Sequence, residues 1–168
     1  MASSAKLNFV RQQGFEDLEE TSCGARYPAL MFQPRITAVL VAVGLIFQPG
    51  WLFLALAAVL WWNVLMPALN PFDALYNRLI AAPKGTAKLA PAPAPRRFAQ
   101  GMAGTFMLLT GAFLLLGWPR AAIVVEALLV VALSALMLGK FCLGSYIYLL
   151  IRGRAAFANH TLPWVHSA

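Results

Sequence analysis

Charge is what this 168-residue chain has least of: 11% of its residues are Asp, Glu, Lys or Arg, while 61% are hydrophobic. Average soluble domains carry about 25% and 45–50%. So few charged side chains cannot cover a soluble fold of this length, which makes the bilayer the expected solvent. A mean hydropathy of +0.71 also excludes intrinsic disorder, which needs a polar, charge-rich chain. Histidine is equally scarce. His160 and His166 both lie in the polar C-terminal tail, so neither is placed to ligate haem, pigment or metal inside a hydrophobic segment. Cys23 and Cys142 lie far apart, and the first 35 residues hold Glu16, Asp17, Glu19 and Glu20 without an apolar signal-like run. A disulfide scaffold is therefore not expected. Also missing are a glycine-rich phosphate loop, a Ser/His/Asp set, paired histidines with a third ligand and a carboxylate pair for acid–base work. No cofactor or metal is expected.

What the chain does have is apolar length. No charged residue occurs between Ile36 and Phe72, yet one helix over that stretch would be about 55 Å long, nearly twice a hydrocarbon core of about 30 Å. Gln48-Pro49-Gly50 is the expected break, because proline removes a helix hydrogen bond and glycine permits a reversed backbone. This predicts a hairpin over 36–69 with arms 36–47 and 51–69. The first arm is short, so it either spans by starting near Pro34 with Arg35 reaching the headgroups, or is re-entrant. A second hairpin over 98–139 has arms 98–116 and 121–139 about Gly117-Trp118-Pro119-Arg120. The predicted fold class is all-α, a membrane bundle of four transmembrane helices with short interfacial helices. Its segments are a polar 1–35, the hairpin 36–69, a connection 70–97, the hairpin 98–139 and a tail 140–168.

The net charge of +7 is unevenly placed. Eleven Lys and Arg fall in the N-terminal segment, the connection and the tail beyond Lys140, which itself belongs to the cytoplasmic edge of the last span, whereas the two hairpin tips carry Arg120 alone. That asymmetry predicts cytoplasmic termini and a cytoplasmic connection. Basic residues flanking uncharged stretches also argue against nucleic acid and for the lipid bilayer, other membrane proteins or further copies of the chain as partners. Arg78, Lys84, Lys88, Arg96, Arg97 and Lys140 are the expected contacts for anionic lipid or a partner protein. Within the connection, Asn70-Pro71 is expected to cap an interfacial helix with Phe72, Leu75, Tyr76 and Leu79 on one face and Asp73, Asn77 and Arg78 elsewhere. The Ala/Pro run 83–95 reads as an extended linker. Another interfacial helix is expected over 141–151. Residues 1–35, with a helix about 15–20, either dock onto a partner or stay mobile.

Glu126 is the one acid inside a predicted span, and Thr110 on the antiparallel neighbour lies at similar depth, so the two are expected to hydrogen-bond and form the candidate intramembrane binding pair. Asn63 reads as an interhelical polar contact, and Gly101, Gly104 and Thr105 as a small-residue packing face. At the end of the last span, Cys142 lies near Lys140 and level with Arg35, Arg96 and Arg97, which makes it the candidate reactive thiol and the one catalytic candidate. Three runs, Arg96-Arg97-Phe98-Ala99-Gln100-Gly101, Asn70-Pro71-Phe72, and Phe141-Cys142-Leu143-Gly144 ahead of Tyr146, resemble a bacterial integral-membrane family, domain of unknown function 4395, over about residues 33–152. The resemblance implies Phe-Cys-Leu-Gly-Cys at the third run, a Cys-x-x-Cys pair suited to thiol redox or metal-thiolate chemistry, and a bacterial inner membrane. Ser145 stands where the second cysteine is expected. A mixed disulfide with a partner is then open to Cys142, with Cys23 the candidate resolving thiol. The leading functional reading is a non-catalytic membrane subunit or scaffold presenting helix faces and a basic cytoplasmic surface. The alternatives are a thiol-redox or sulfur-handling component using Cys142 and a small transporter using Glu126.

Overall fold

The computed structural model describes residues 4–16, 20–86 and 88–165, with the backbone alone at 20–23 and 25. Every regular element among them is helical: α1 (Ser4–Gln12), α2 (Glu20–Leu30), α3 (Phe32–Phe47), α4 (Gly50–Leu65), α5 (Pro71–Tyr76), α6 (Ala82–Lys84), α7 (Ala94–Leu115), α8 (Pro119–Met137), α9 (Leu143–Ile151) and α10 (Ala155–His160). Among the described residues three stretches are long and apolar enough to cross a membrane: Arg26–Phe47, Ala94–Leu115 and Pro119–Met137. The 16-residue α4 is apolar but shorter. The first arm is thus longer than the expected 36–47, because helical backbone begins well upstream of Pro34. Proline has no N–H to return to the carbonyl four residues earlier, and α2 gives way to α3 three residues before it, at Met31.

The first turn differs from expectation in its chemistry. Gln48, not Gly50, takes the left-handed backbone, with φ 53°, and its N–H caps α3 through the Gly44 carbonyl. Gly50 instead starts α4, where its missing side chain lets α7 approach. A Cβ at Gly111 would sit 2.7 Å from the Gly50 carbonyl oxygen and 2.8 Å from the Leu54 side chain. Small residues at such a crossing are what membrane helices use for close packing. Farther along, Gly104 lies against Leu60 and Trp61, and Gly101 against Val64, so the expected small-residue face is a packing face. Gly50, Phe53, Leu56, Ala57, Leu60 and Asn63 form the buried side of α4, a three- and four-residue spacing that draws one stripe along a helix. Val41, Met107 and Leu129 complete this core. Outward, Val39, Val43 and Ile46 of α3 and Ile123, Val124 and Val131 of α8 are exposed, as lipid-facing positions are.

A second core closes the opposite end of the bundle, here called the capped end. Leu7, Phe9 and Val10 of α1 pack with Tyr27, Leu30, Met31, Tyr76 and Leu89. The N-terminal helix therefore docks on its own chain. Asn8 Nδ2 donates to the carbonyls of Leu162 and Val165 at 2.9 and 2.8 Å, joining the two ends of the described chain. The helix expected over 15–20 is not seen at Phe15 and Glu16, and 17–19 lie outside the described residues. In the connection, α5 buries Asp73 and Tyr76 and exposes Leu75, and Leu79 just beyond it is exposed too, so the expected apolar face is split and Asp73 points inward. After a π-helical turn, Asn77–Ala81, the Ala/Pro run is docked rather than free. Asn77 exchanges two hydrogen bonds with the backbone of Leu89, at 2.7 and 3.1 Å, and Leu89 and Ala92 are buried.

The Gly50/Gly111 crossing sets the first prediction. Gly111→Leu must push α4 and α7 apart and should cost about 1–3 kcal/mol in thermal or denaturant unfolding of the detergent-solubilised protein. Gly24→Ala, inside α2 and with no described neighbour within 4 Å of the added methyl, should not destabilise and should gain about 0.5–1 kcal/mol from helix propensity.

Candidate functional site

The polar centre of the capped end is built outward from Arg96, in the first turn of α7. Its side chain is buried against Asp73 of α5, with guanidinium nitrogens 2.8 and 3.1 Å from the two carboxylate oxygens. A buried charge needs such a partner, and paired N–H groups on paired oxygens are the strongest form of it. Asp73 is held in place by the N-terminus of its own helix. Asn70 is the N-cap, its Oδ1 accepting from the N–H of Phe72 and Asp73, and Pro71 fills the first helical position as expected. Asn70 Nδ2 then donates to Asp73 Oδ2 at 3.1 Å and to Gln33 Oε1 at 3.3 Å. Gln33 Oε1, on α3, also accepts from Arg96 at 3.4 Å and from Gln100 Nε2 at 2.8 Å. Three segments of chain, α3, the α4–α5 connection and α7, meet at this one amide oxygen.

Cys142 lies beside this lattice as the N-cap residue of α9. Two glutamines of the α1 end hold it. Gln12 Oε1 accepts from the Cys142 N–H at 2.8 Å, and Gln13 Nε2 donates to the Ser145 hydroxyl at 3.2 Å. The Ser145 proton reaches either the Pro95 carbonyl, at 3.2 Å, or the Cys142 sulfur, at 3.4 Å; one hydroxyl serves one of them at a time. Gly144 lets this turn rest on α7, since a Cβ there would be 2.7 Å from the Ala99 Cα. The Cys23 side chain and His166 lie outside the described residues.

Between these groups lies a cavity of about 110 Å³. Arg96, Gln100 and Cys142 are on its wall, together with Leu60, Phe106 and Leu129 of the bundle interior. Gln100 is buried, and its Oε1 has no hydrogen-bond partner.

The intramembrane acid is arranged differently from expectation. Glu126 is buried, but Thr110 does not bond to it; Glu126 Oε2 accepts from Gln48 Nε2 at 3.3 Å. The left-handed cap of α3 brings the Gln48 amide to α8, and that contact replaces the expected one. Thr110 Oγ1, Glu126 Oε1 and both polar atoms of Asn63 are buried without partners, so Asn63 is not the satisfied contact expected of it.

The basic residues divide. Arg96, expected on a lipid- or partner-facing surface, is instead 4% exposed, because Asp73 turns inward to meet it. Arg97 bonds the Val64 carbonyl at 2.7 and 3.0 Å, covering the free end of α4. Arg78, Lys84 and Lys88 are exposed, and Lys140, half-buried, takes a left-handed backbone between α8 and α9. Sequence reasoning missed Gln12, Gln13, Gln33, Asp73 and Gln100 as site residues. A signal was present: the three runs quoted for the family resemblance converge here, Arg96 and Gln100 from one, Asn70 from another and Cys142 from the third. Among the described residues no three His, Cys, Asp or Glu side chains group as metal ligands do.

A family model described as Domain of unknown function (DUF4395) matches residues 28–153. No curated protein and no solved structure matches the chain.

Two predictions follow from these contacts. Arg96→Met or Asp73→Leu alone strands a buried charge and should destabilise by about 3–5 kcal/mol, whereas the double substitution should recover most of that loss; unfolding of the four proteins in one detergent completes the cycle. On the surface, Arg154 donates to both oxygens of Glu16, and these hydrogen bonds hold the Glu16 carboxyl below its ordinary 4.5. A carboxyl lowered in the fold stabilises fully above its ordinary pKa and stops doing so as pH falls through the lowered one. Protease protection of α1 should therefore fall in acid below about pH 4.5, and Glu16→Gln should remove that part of the pH dependence.

Proposed function

The chain belongs to the DUF4395 family, whose description carries no activity, and we propose that it is a non-catalytic, four-span subunit or scaffold of the bacterial inner membrane. Its outer helix faces would meet lipid, neighbouring membrane proteins or further copies of the chain. Its capped end would present a basic surface to anionic lipids or a partner protein. The observation that carries this reading is the division of the cations. Arg96 and Arg97 are consumed by internal hydrogen bonds, while Arg78, Lys84 and Lys88 stay exposed on a stretch that Asn77 and Leu89 pin to the fold. A held, exposed cationic stretch is suited to a charged surface, where each Lys or Arg contributes about 1 kcal/mol.

The count of four spans rests on α4. Sixteen residues rise about 24 Å, a few ångströms short of the hydrocarbon core, and local thinning or tilt accommodates such a mismatch. Packing along α7 from Gly50 at one end to Val64 at the other supports a full crossing. The capped end gathers the Lys- and Arg-rich segments, which supports a cytoplasmic location for it and for both termini.

A second reading, thiol chemistry at Cys142, is favoured by one contact, the Ser145 hydroxyl 3.4 Å from the sulfur. Cys142→Ser should be silent under the scaffold reading, whereas a trapped mixed disulfide that disappears in this variant would favour the thiol reading.

Extraction in mild detergent tests the scaffold directly. The protein should emerge in an assembly larger than a monomer and retain anionic in preference to zwitterionic lipids by native mass spectrometry. Replacing Arg78, Lys84 and Lys88 together by Gln should lower that retention at least tenfold. A strict monomer with no lipid preference would sink the proposal.

A further inference from the structure

The four long helices do not close evenly. α7 packs closely along α4 and α8, whereas α3 meets α4 and α8 only sparsely. Toward the capped end that looseness leaves the cavity of about 110 Å³. Phe106 of α7 is on its back wall and Leu129 at its floor, while Phe9 of α1 and Cys142 close it at the capped end. Its two sides are α3, at Pro34, and α8, at Ala132. No other element contributes wall between those two sides, and Pro34 and Ala132 are each partly exposed, so the cavity opens there. Both helices belong to stretches long and apolar enough to cross a membrane. Ala132 lies roughly 8 Å inside the end of α8 at 1.5 Å per residue, so in a bilayer the opening faces lipid chains rather than water.

The wall is almost wholly hydrocarbon. Arg96 and Gln33 spend their polar groups on Asp73, Asn70 and Gln100, and the unpartnered oxygen of Gln100 is buried away from the opening. A water needs two to four polar partners and does not find them on such a surface. Left empty, the lining atoms forgo dispersion contacts on one side. Scaled from the roughly 150 Å³ apolar cavity that holds the six carbons of benzene, the space takes about four or five carbons of a chain. The capped end of the opening is cationic. Lys140 follows Leu136 of the α8 wall by four residues, is half-buried, and forms no ion pair among the described residues. Arg35 follows Pro34 on α3, exposed and likewise without an ion pair.

We propose that the cleft between α3 and α8 holds one acyl chain of an anionic phospholipid, the chain entering past Pro34 and Ala132 to lie against Phe106 and Leu129, and the phosphate meeting Lys140 and Arg35. The proposal rests on the membrane reading given above but makes no use of Arg78, Lys84 and Lys88, so the two fail separately.

Photolabelling in nanodiscs tests it, with a phosphatidylglycerol that carries a diazirine on one acyl chain in a phosphatidylcholine background. Irradiation and peptide mapping should place label on Phe106 and Leu129, which face the cavity, as well as on Val124 and Val131, which face outward. Unlabelled phosphatidylglycerol should suppress the inner labelling at least tenfold more effectively than phosphatidylcholine. Ala132→Leu, which adds bulk at the opening, should cut inner labelling at least tenfold and leave the outer labelling unchanged, a built-in check of the fold. Lys140→Gln with Arg35→Gln should bring the two competitors within about twofold of each other. Replacing Arg78, Lys84 and Lys88 by Gln should alter neither the inner labelling nor its lipid preference. Label confined to Val124 and Val131, inner labelling that survives Ala132→Leu, or equal competition by the two lipids on the unaltered protein overturns the proposal. Should Ala132→Leu fail to fold, the division of label between inner and outer residues of the unaltered protein decides.

Discussion

The guanidinium of Arg96 cannot be left alone where it lies, and much of the capped end is arranged to meet it. Removing a cation from water costs several kcal/mol, recovered only by a close partner and well-directed hydrogen bonds. Asp73 supplies the partner and Gln33 a further acceptor. Because Asp73 sits on α5, the helix after α4, while Arg96 opens α7, the pair fixes where the long α4–α7 connection returns to the bundle. Through Gln33 the same point holds α3. A pair of this kind adds little net stability over a well-packed apolar alternative; what it adds is a fixed point between α5 and α7, because a shift of either helix would part the guanidinium from its carboxylate.

The rest of the capped end follows from that placement. With α7 begun at Ala94 and the connection held by Asn77 on Leu89, a surface is left onto which α1 folds. Gln12 and Gln13 then reach Cys142 and Ser145, and Asn8 reaches the carbonyls of Leu162 and Val165. Side-chain amides suit this role because each carries donors and an acceptor and so bonds irregular backbone that helices leave open. The cavity is a consequence of the same geometry. Residues of α1, α3, α4, α7, α8 and the 142–144 turn surround it, and the lattice that orients Gln33 also orients Gln100.

Much of the bundle was legible because its cause is local. Charge-free runs, the two turn sequences and the Asn70-Pro71 cap each act through neighbours a few residues away, and the helices lie close to where those signals put them. The small-residue face of α7 was legible for the same reason. Errors arose where a residue's partner is distant in sequence. Asp73 looked like the polar side of an amphipathic helix, since nothing near it reveals Arg96. Depth alone matches Thr110 to Glu126, but depth leaves helix rotation free, and Gln48 takes the place. In the sequence Arg96 reads like the surface cations, because a formal charge looks the same whether paired or free.

The amino-acid sequence alone determined that this chain is helical, apolar and divided into hairpins, because hydropathy, proline and capping residues act over a turn or two of backbone. It also determined which family the chain belongs to, through three short runs. Only the tertiary structure decided which charges are spent inside and which face outward, that the N-terminal helix closes on its own chain, and that those three runs come together at the capped end. The physical reason is that buried polar groups choose partners by geometry across many tens of residues. That geometry exists only once the helices have packed.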